Sequence, residues 1–114
     1  MANAIDVTVR PAANTLTEIY TVPEGGIASV VINATMHDTS MAVGAISRIS
    51  IAIGAVAGTA QVTDGMYRES RVPIALGDPS FCHAPLTLAA GTKIFAMSDT
   101  GKVNFTVNGN GRLL

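Results

Sequence analysis

Three stretches of the sequence alternate apolar and polar residues with a period of two. They are AIDVTVR near the N-terminus, RISIAI in the middle and KVNFTVNG near the C-terminus. In the first stretch Ile5, Val7 and Val9 fall on one face of an extended chain. Such alternation is typical of an antiparallel strand with one buried face, and no stretch keeps a helical period for two turns. The pattern predicts an all-β fold.

Turn-forming residues separate these runs at intervals of roughly ten residues, as in a sandwich or barrel. The turn signals are Pro23-Glu24-Gly25-Gly26, Asp64-Gly65, Gly77-Asp78-Pro79, Ala90-Gly91, Asp99-Thr100-Gly101 and Asn108-Gly109-Asn110-Gly111. Strands are predicted at residues 4–10, 16–22, 27–36, 45–53, 59–62, 66–76, 84–88, 92–98 and 102–108. We therefore expect an antiparallel β-sandwich of about eight or nine short strands, with jelly-roll or immunoglobulin-like topology.

The stretch TEIYTVPEGGIASVVIN, residues 17–33, predicts a strand, a tight turn and a second strand. Pro23 ends the first strand because proline has no N–H for a ladder, and the two glycines that follow let the chain reverse. The pair is interpreted as a hairpin. Its second strand is apolar almost throughout, so it is expected to be central in a sheet.

A chain of 114 residues is expected to form one domain, residues 1–114. Its net charge is −1, and only 13% of its residues are charged, against about 25% in an average protein. This balance argues against nucleic acid as a partner, because phosphate binding needs clustered Lys and Arg. An apolar content of 48% exceeds what a solvated monomer needs, so the chain is expected to assemble with other protein surfaces.

No membrane partner is expected. The uncharged run at residues 49–63 is interrupted by Gly54 and Gly58, and it is shorter than the ~20 residues of a spanning helix. The N-terminal residues MANAIDVTVR have neither the basic nor the apolar region of a signal peptide.

Cys82 and His83 are the most reactive pair of neighbours in the sequence. A cysteine beside a histidine can act as a nucleophile, but adjacent residues of an extended segment point to opposite sides. We therefore interpret Cys82 as a buried structural cysteine next to a solvated loop histidine. As the sole cysteine, it also excludes an intrachain disulfide.

No catalytic, cofactor-binding or metal-binding residue is assigned, and the chain is not expected to be an enzyme. The side chains His37, Asp38 and His83 lack the paired short spacing of zinc ligands. The aspartates are explained as turn residues; they are Asp38, Asp64, Asp78 and Asp99. Residues 96–103, AMSDTGKV, lack the first glycine and the final Ser or Thr of a phosphate loop, and are interpreted as a hairpin turn.

Three segments together resemble small β-sandwich modules of tailed-bacteriophage virions. The segments are IYTVPEG at residues 19–25, LAAGTKI at residues 88–94 and VNFTVNG at residues 103–109. The resemblance spans roughly residues 15–109 and concerns turns and core positions. The loops at residues 36–43 and 79–85 have no counterpart in it.

The resemblance implies a capsid decoration (cement) protein, made in the host cytoplasm, on the capsid surface of the virion. Its partners would be the major capsid protein and further copies of itself, most often in a homotrimer. The alternative is a receptor- or glycan-binding module of a head or tail fibre. A free-standing chain of this length resembles a decoration protein more than a fibre, which needs an attachment segment or a long shaft.

Overall fold

The computed structural model describes residues 2–36, 44–76 and 81–113. Within these ranges the chain forms strands β1 Ala2–Val9, β2 Thr17–Thr21, β3 Gly26–Met36, β4 Ile46–Gly54, β5 Tyr67–Ala75, β6 Phe81–Ala89, β7 Lys93–Ser98 and β8 Val103–Leu113. Two short 3-10 turns, Thr59–Gln61 and Asp64–Met66, lie between β4 and β5. The prediction of an all-β fold is confirmed.

The strands form two four-stranded sheets whose neighbours are all antiparallel. Sheet A has the order β1-β8-β3-β6, and sheet B has the order β2-β7-β4-β5. This order, in which the chain changes sheet at every connection except that between β4 and β5, is that of an eight-stranded jelly roll. Of the two topologies that the sequence left open, the structure has the jelly roll.

The core lies between the two sheets and consists of the inward residues of the alternating runs. On β3 these are Ala28, Val30, Ile32 and Ala34, each at most 2% exposed. β3 lies between β8 and β6, so its predicted central place is confirmed. The other large side chains of this core that are at most 1% exposed are Val22, Ile49, Ile51, Ile94, Val103, Phe105 and Val107. Burying one side chain of this size contributes about 1.5–3 kcal/mol.

Three sequence predictions of local structure are wrong. Residues 59–62 begin with a 3-10 turn and not a strand, and residues 81–83, which were expected in a loop, already belong to β6. Residues 108–111 continue β8 and do not form a turn. Gly109 is needed there because a Cβ atom would overlap the carbonyl oxygen of Ser29 on the neighbouring strand. A glycine in a strand can mark such a close backbone approach as well as a turn.

Two predicted hairpins are connections between sheets. The turn that begins at Pro23 joins β2 in sheet B to β3 in sheet A. The turn at residues 99–101 likewise joins β7 in sheet B to β8 in sheet A. Only β4 and β5 are both consecutive in the chain and paired with each other, among the strands that the structure describes.

Candidate interaction surface

The outward face of sheet A is an open, weakly charged surface, which we call the A face. It consists of the side chains that alternate with the core residues on the four strands. They are Ala4, Asp6 and Thr8 of β1, Asn104, Thr106, Asn108, Asn110 and Arg112 of β8, Ile27, Ser29, Val31, Asn33 and Thr35 of β3, and Cys82, Thr87 and Ala89 of β6. None of them is buried, and only Asp6 and Arg112 are charged.

Short side chains form rows across the A face. One row runs from Thr8 through Thr106 and Asn33 to Cys82. In this row the hydroxyl oxygens of Thr8 and Thr106 share a hydrogen bond of 3.1 Å. Because these side chains have few rotatable bonds, little side-chain entropy is lost when another surface covers them. The core of a protein–protein interface is likewise poor in charged residues.

A shallow depression on the A face has a volume of about 390 Å³. It lies near the C-terminal end of β8 and is lined by Ile27, Ser29, Thr87, Asn110 and Arg112. The lining combines one apolar side chain with hydroxyl, amide and guanidinium groups. Such a lining suits a protruding side chain of a protein partner better than a small-molecule substrate, which needs a more enclosed site.

The outward face of sheet B differs because residues 55–66 lie over part of it. Phe95 and Ala52 belong to an outward row of sheet B, yet both are fully buried. The second 3-10 turn approaches β4 so closely that a Cβ atom on Gly54 would lie 2.8 Å from the sulfur of Met66. Sheet B is therefore partly covered by its own chain, whereas none of the A-face side chains is buried.

A polar groove of about 460 Å³ remains on sheet B beside the second 3-10 turn. It is lined by Ser50, Asp64, Tyr67, Ser70, Arg71 and Met97. Arg71 has a φ of 54°, which is uncommon for a residue with a side chain. Its N–H donates to the hydroxyl oxygen of Ser50 at 3.1 Å, and this bond holds the irregular backbone in place.

Cys82 and His83 lie on opposite faces of β6, so their predicted separation is confirmed. The prediction of a buried cysteine is wrong, because Cys82 is exposed on the A face. The prediction of a solvated loop histidine is also wrong: the side chain of His83 is 13% exposed and lies within a strand. Its Nδ1 lies 2.7 Å from Oε2 of Glu69 on β5.

Little in the sequence predicts this arrangement. Phe81 and His83 face inward opposite Ala34 and Ile32, but the register between β3 and β6 then shifts, so that Leu86 pairs with Val30. The bulge breaks the alternation of β6 at Pro85, and the strand start is therefore hidden in the sequence.

The predicted turn aspartates are only partly described. Asp99 lies in the turn at residues 99–101, but its Oδ1 accepts a hydrogen bond from the backbone N–H of Arg48 on β4 at 2.9 Å, and so binds a neighbouring strand and not the turn's own backbone. Asp64 begins the second 3-10 turn. The residues His37, Asp38 and Asp78 lie outside the described residues. In the described part of the chain, no three His, Cys, Asp or Glu side chains are grouped so that they could hold a metal ion.

Comparisons with known proteins leave the A face as the main guide to function. The chain matches no protein-family model, no curated protein and no solved structure. In the described ranges, no helix has the length and apolar character required to cross a membrane.

Proposed function

We propose that this chain is a structural protein of a tailed-bacteriophage virion, a capsid decoration protein that binds the outer surface of the shell. The observation that carries the proposal is the A face, a four-stranded surface with two charged side chains and no buried one. The resemblance of residues 15–109 to phage virion modules supports the same assignment. The role is binding and not catalysis.

The A face would lie on the major capsid protein. A protein that binds only the assembled shell stabilises that shell by mass action, and the stabilisation grows with the logarithm of its free concentration once that exceeds its Kd. A net charge of −1 limits repulsion when many copies crowd on one particle. The chain would be made in the host cytoplasm and remain on the capsid surface of the virion.

The proposal also includes binding of the chain to further copies of itself. The resemblance implies a homotrimer, in which each copy covers part of its neighbour. A stable oligomer needs an interface of more than about 1,000 Å².

Capsids that lack the protein provide the test. Purified protein is mixed with capsids of the phage whose genome encodes it, and bound protein is quantified after sedimentation. We expect saturable binding at a fixed ratio to the major capsid protein, and greater resistance of the shell to heat. Absence of binding by the wild-type protein would overturn the proposal.

Two charge variants locate the contact. Ser29→Arg places a long cation at the centre of the A face, whereas Thr63→Arg places the same cation on the exposed segment over sheet B. Ser29→Arg should weaken binding by about tenfold or more, because an unpaired charge in an interface is costly to desolvate. Thr63→Arg should bind like the wild type. The reverse result would assign the contact to sheet B.

A receptor- or glycan-binding module of a head or tail fibre is the second candidate. The polar groove on sheet B favours it, since Tyr67 offers a ring, and Asp64 and Arg71 offer charged groups, along one wall. A binding survey over glycans, repeated with Tyr67→Ala, tests this candidate. Glycan binding that the variant loses, together with no binding to capsids, would replace the first proposal by the second.

A further inference from the structure

The four edge strands of the sandwich differ in how they are protected. An edge strand turns the N–H and C=O of every second residue away from its sheet, and natural proteins block such edges with prolines, bulges, short strands or inward charges. The edges are β1 and β6 in sheet A, and β2 and β5 in sheet B.

Three of the four edge strands have such protecting features. β6 contains Pro85 and has a register shift against β3. β5 contains Pro73 and the irregular Arg71, and its register shifts against β4. β2 has only five residues and a register shift after Glu18.

β1 carries none of them. It is eight residues long, it contains no proline, and it pairs with β8 in continuous register from Ala2 to Val9. Its inward positions Ile5, Val7 and Val9 are apolar and only partly buried. A long, regular, apolar edge of this kind is a template for another strand.

An apolar cleft lies beside this edge, where sheets A and B diverge. Its volume is about 320 Å³, and its lining is mostly apolar, with Ile5, Val7, Tyr20, Pro23 and Ile27 among the apolar residues and Asp6 and Arg112 as the charged ones. A strand added to β1 would direct its own inward side chains toward this cleft. The occupant must therefore alternate apolar and polar residues, with the apolar ones on the inner side.

We infer that β1 pairs antiparallel with β1 of a second copy of this chain, about a two-fold axis at Val7. This axis places Val7 opposite the second copy's Val7, and Ile5 opposite its Val9. Because this axis is perpendicular to the sheet, the inner faces of both β1 strands lie on the same side of the joined sheet. Apolar residues therefore lie opposite apolar residues, and Asp6 lies opposite the second copy's Thr8.

Alternation, charge and strand length together select this register, since an axis at Thr8 would also oppose Val7 to Val9 but would pair only residues 7–9 of β1. If the two-fold axis passed between two consecutive residues of β1, each apolar residue would lie opposite a polar residue of the second copy, because side chains alternate with a period of two. An axis at Asp6 would place two carboxylates directly opposite each other, which is destabilising. The pair at Val7 joins two A faces into one continuous eight-stranded surface. The resemblance implied three copies, whereas this edge gives two.

Mass measurement tests the inference on the protein alone. Light scattering at micromolar concentration, with a reductant because Cys82 is exposed, should give twice the chain mass of 11.7 kDa. A mass of one chain or of three chains would overturn the pairing.

Two lysine variants on neighbouring positions locate the contact. Val7→Lys puts two cations at the axis, whereas Thr8→Lys puts a cation on the outer face opposite Asp6 of the second copy. We expect Val7→Lys to weaken the dimer by more than about tenfold and Thr8→Lys to leave it intact. A dimer that tolerates Val7→Lys contradicts the inference.

Amide hydrogen exchange gives a readout that needs no variant, and it decides the question if Val7→Lys fails to fold. If two β1 strands pair, all consecutive amides of β1 are protected from exchange. Protection of the amides that point away from β8 then rises with protein concentration, because only a second copy can bond them. Protection of alternate amides only, at every concentration, would show that this edge stays open.

Discussion

Nδ1 of His83 lies 2.7 Å from Oε2 of Glu69, and this contact joins the edge strand β6 of sheet A to the edge strand β5 of sheet B. Both side chains are largely buried, with 13% of the histidine and 24% of the glutamate exposed. The contact is an ion pair when the imidazole is protonated and a single hydrogen bond otherwise. It adds a polar contact between the two layers to the apolar packing of the core, as does the hydrogen bond from Ser47 Oγ on β4 to Met36 Sδ on β3.

Removing the imidazole should therefore destabilise the fold. His83→Ala leaves the half-buried carboxylate of Glu69 without its partner, and we expect a loss of about 1–3 kcal/mol in the free energy of unfolding. Cys82→Ala is the matched control, since Cys82 is the exposed neighbour on the same strand. It should stay within about 0.5 kcal/mol of the wild type and keep its assembly and binding. Urea unfolding followed by circular dichroism measures both, and equal stabilities would contradict the role of the pair.

Gly109 should not tolerate any side chain. A Cβ atom there would overlap the carbonyl oxygen of Ser29, which belongs to the backbone of a central strand and cannot move aside alone. Gly109→Ala is expected to cost more than about 2 kcal/mol or to prevent folding. Gly65→Ala is the control, because a Cβ atom at Gly65 meets no atom within 4 Å. Thermal unfolding of the two variants should differ by many degrees, and similar midpoints would refute the close approach.

Glu18 should make a small, pH-dependent contribution to stability. The hydroxyl of Thr21 donates to Glu18 Oε2 at 2.8 Å, and Nζ of Lys93 lies 3.2 Å from Oε1. The hydrogen bond from Thr21 does most to hold the pKa of Glu18 below its usual value; burial opposes it, and the nearby ammonium of Lys93 adds to the lowering. A lowered pKa stabilises the folded state above the unfolded pKa, and this stabilisation disappears as the pH falls through the folded pKa.

Glu18→Gln tests this contribution. Because the side chain is 41% exposed, the loss at neutral pH should stay below about 1 kcal/mol, and it should disappear as the pH falls through the lowered folded-state pKa of Glu18. Thr21→Val keeps the carboxylate and removes the hydroxyl, so an NMR titration should find the pKa of Glu18 closer to its ordinary value. If the difference in unfolding free energy between the wild type and Glu18→Gln grew as the pH fell, the ionised carboxylate would not be the stabilising form.

The fold class was readable from the sequence because the alternating runs report directly which side chains are buried. Ile5, Val7 and Val9 of β1, and Val103, Phe105 and Val107 of β8, all face the sandwich interior as the alternation predicts. Which strands pair with each other could not be predicted from the sequence. A turn signal such as that at Pro23 marks where the chain reverses, but it does not indicate which sheet the next strand joins.

The candidate surface was harder to predict than the core. Residues of the A face such as Ser29 and Asn33 come from strands far apart in the sequence, and their adjacency depends on the strand order. Which strands are protected edge strands could not be predicted for the same reason. Pro85 and Arg71 look like ordinary interruptions until the sheets show that they lie on outer strands.

The pairing of β1 with β8 also has a consequence for the time course of folding. The first strand described in the chain makes its ladder with the last one, from Ala2 opposite Arg112 to Val9 opposite Phe105. Contacts between such distant segments close large loops, and all-β domains dominated by them fold in milliseconds to seconds. During synthesis β1 must wait until β8 has left the ribosome. Throughout that interval this apolar segment is available to chaperones, and to the same segment of other nascent chains.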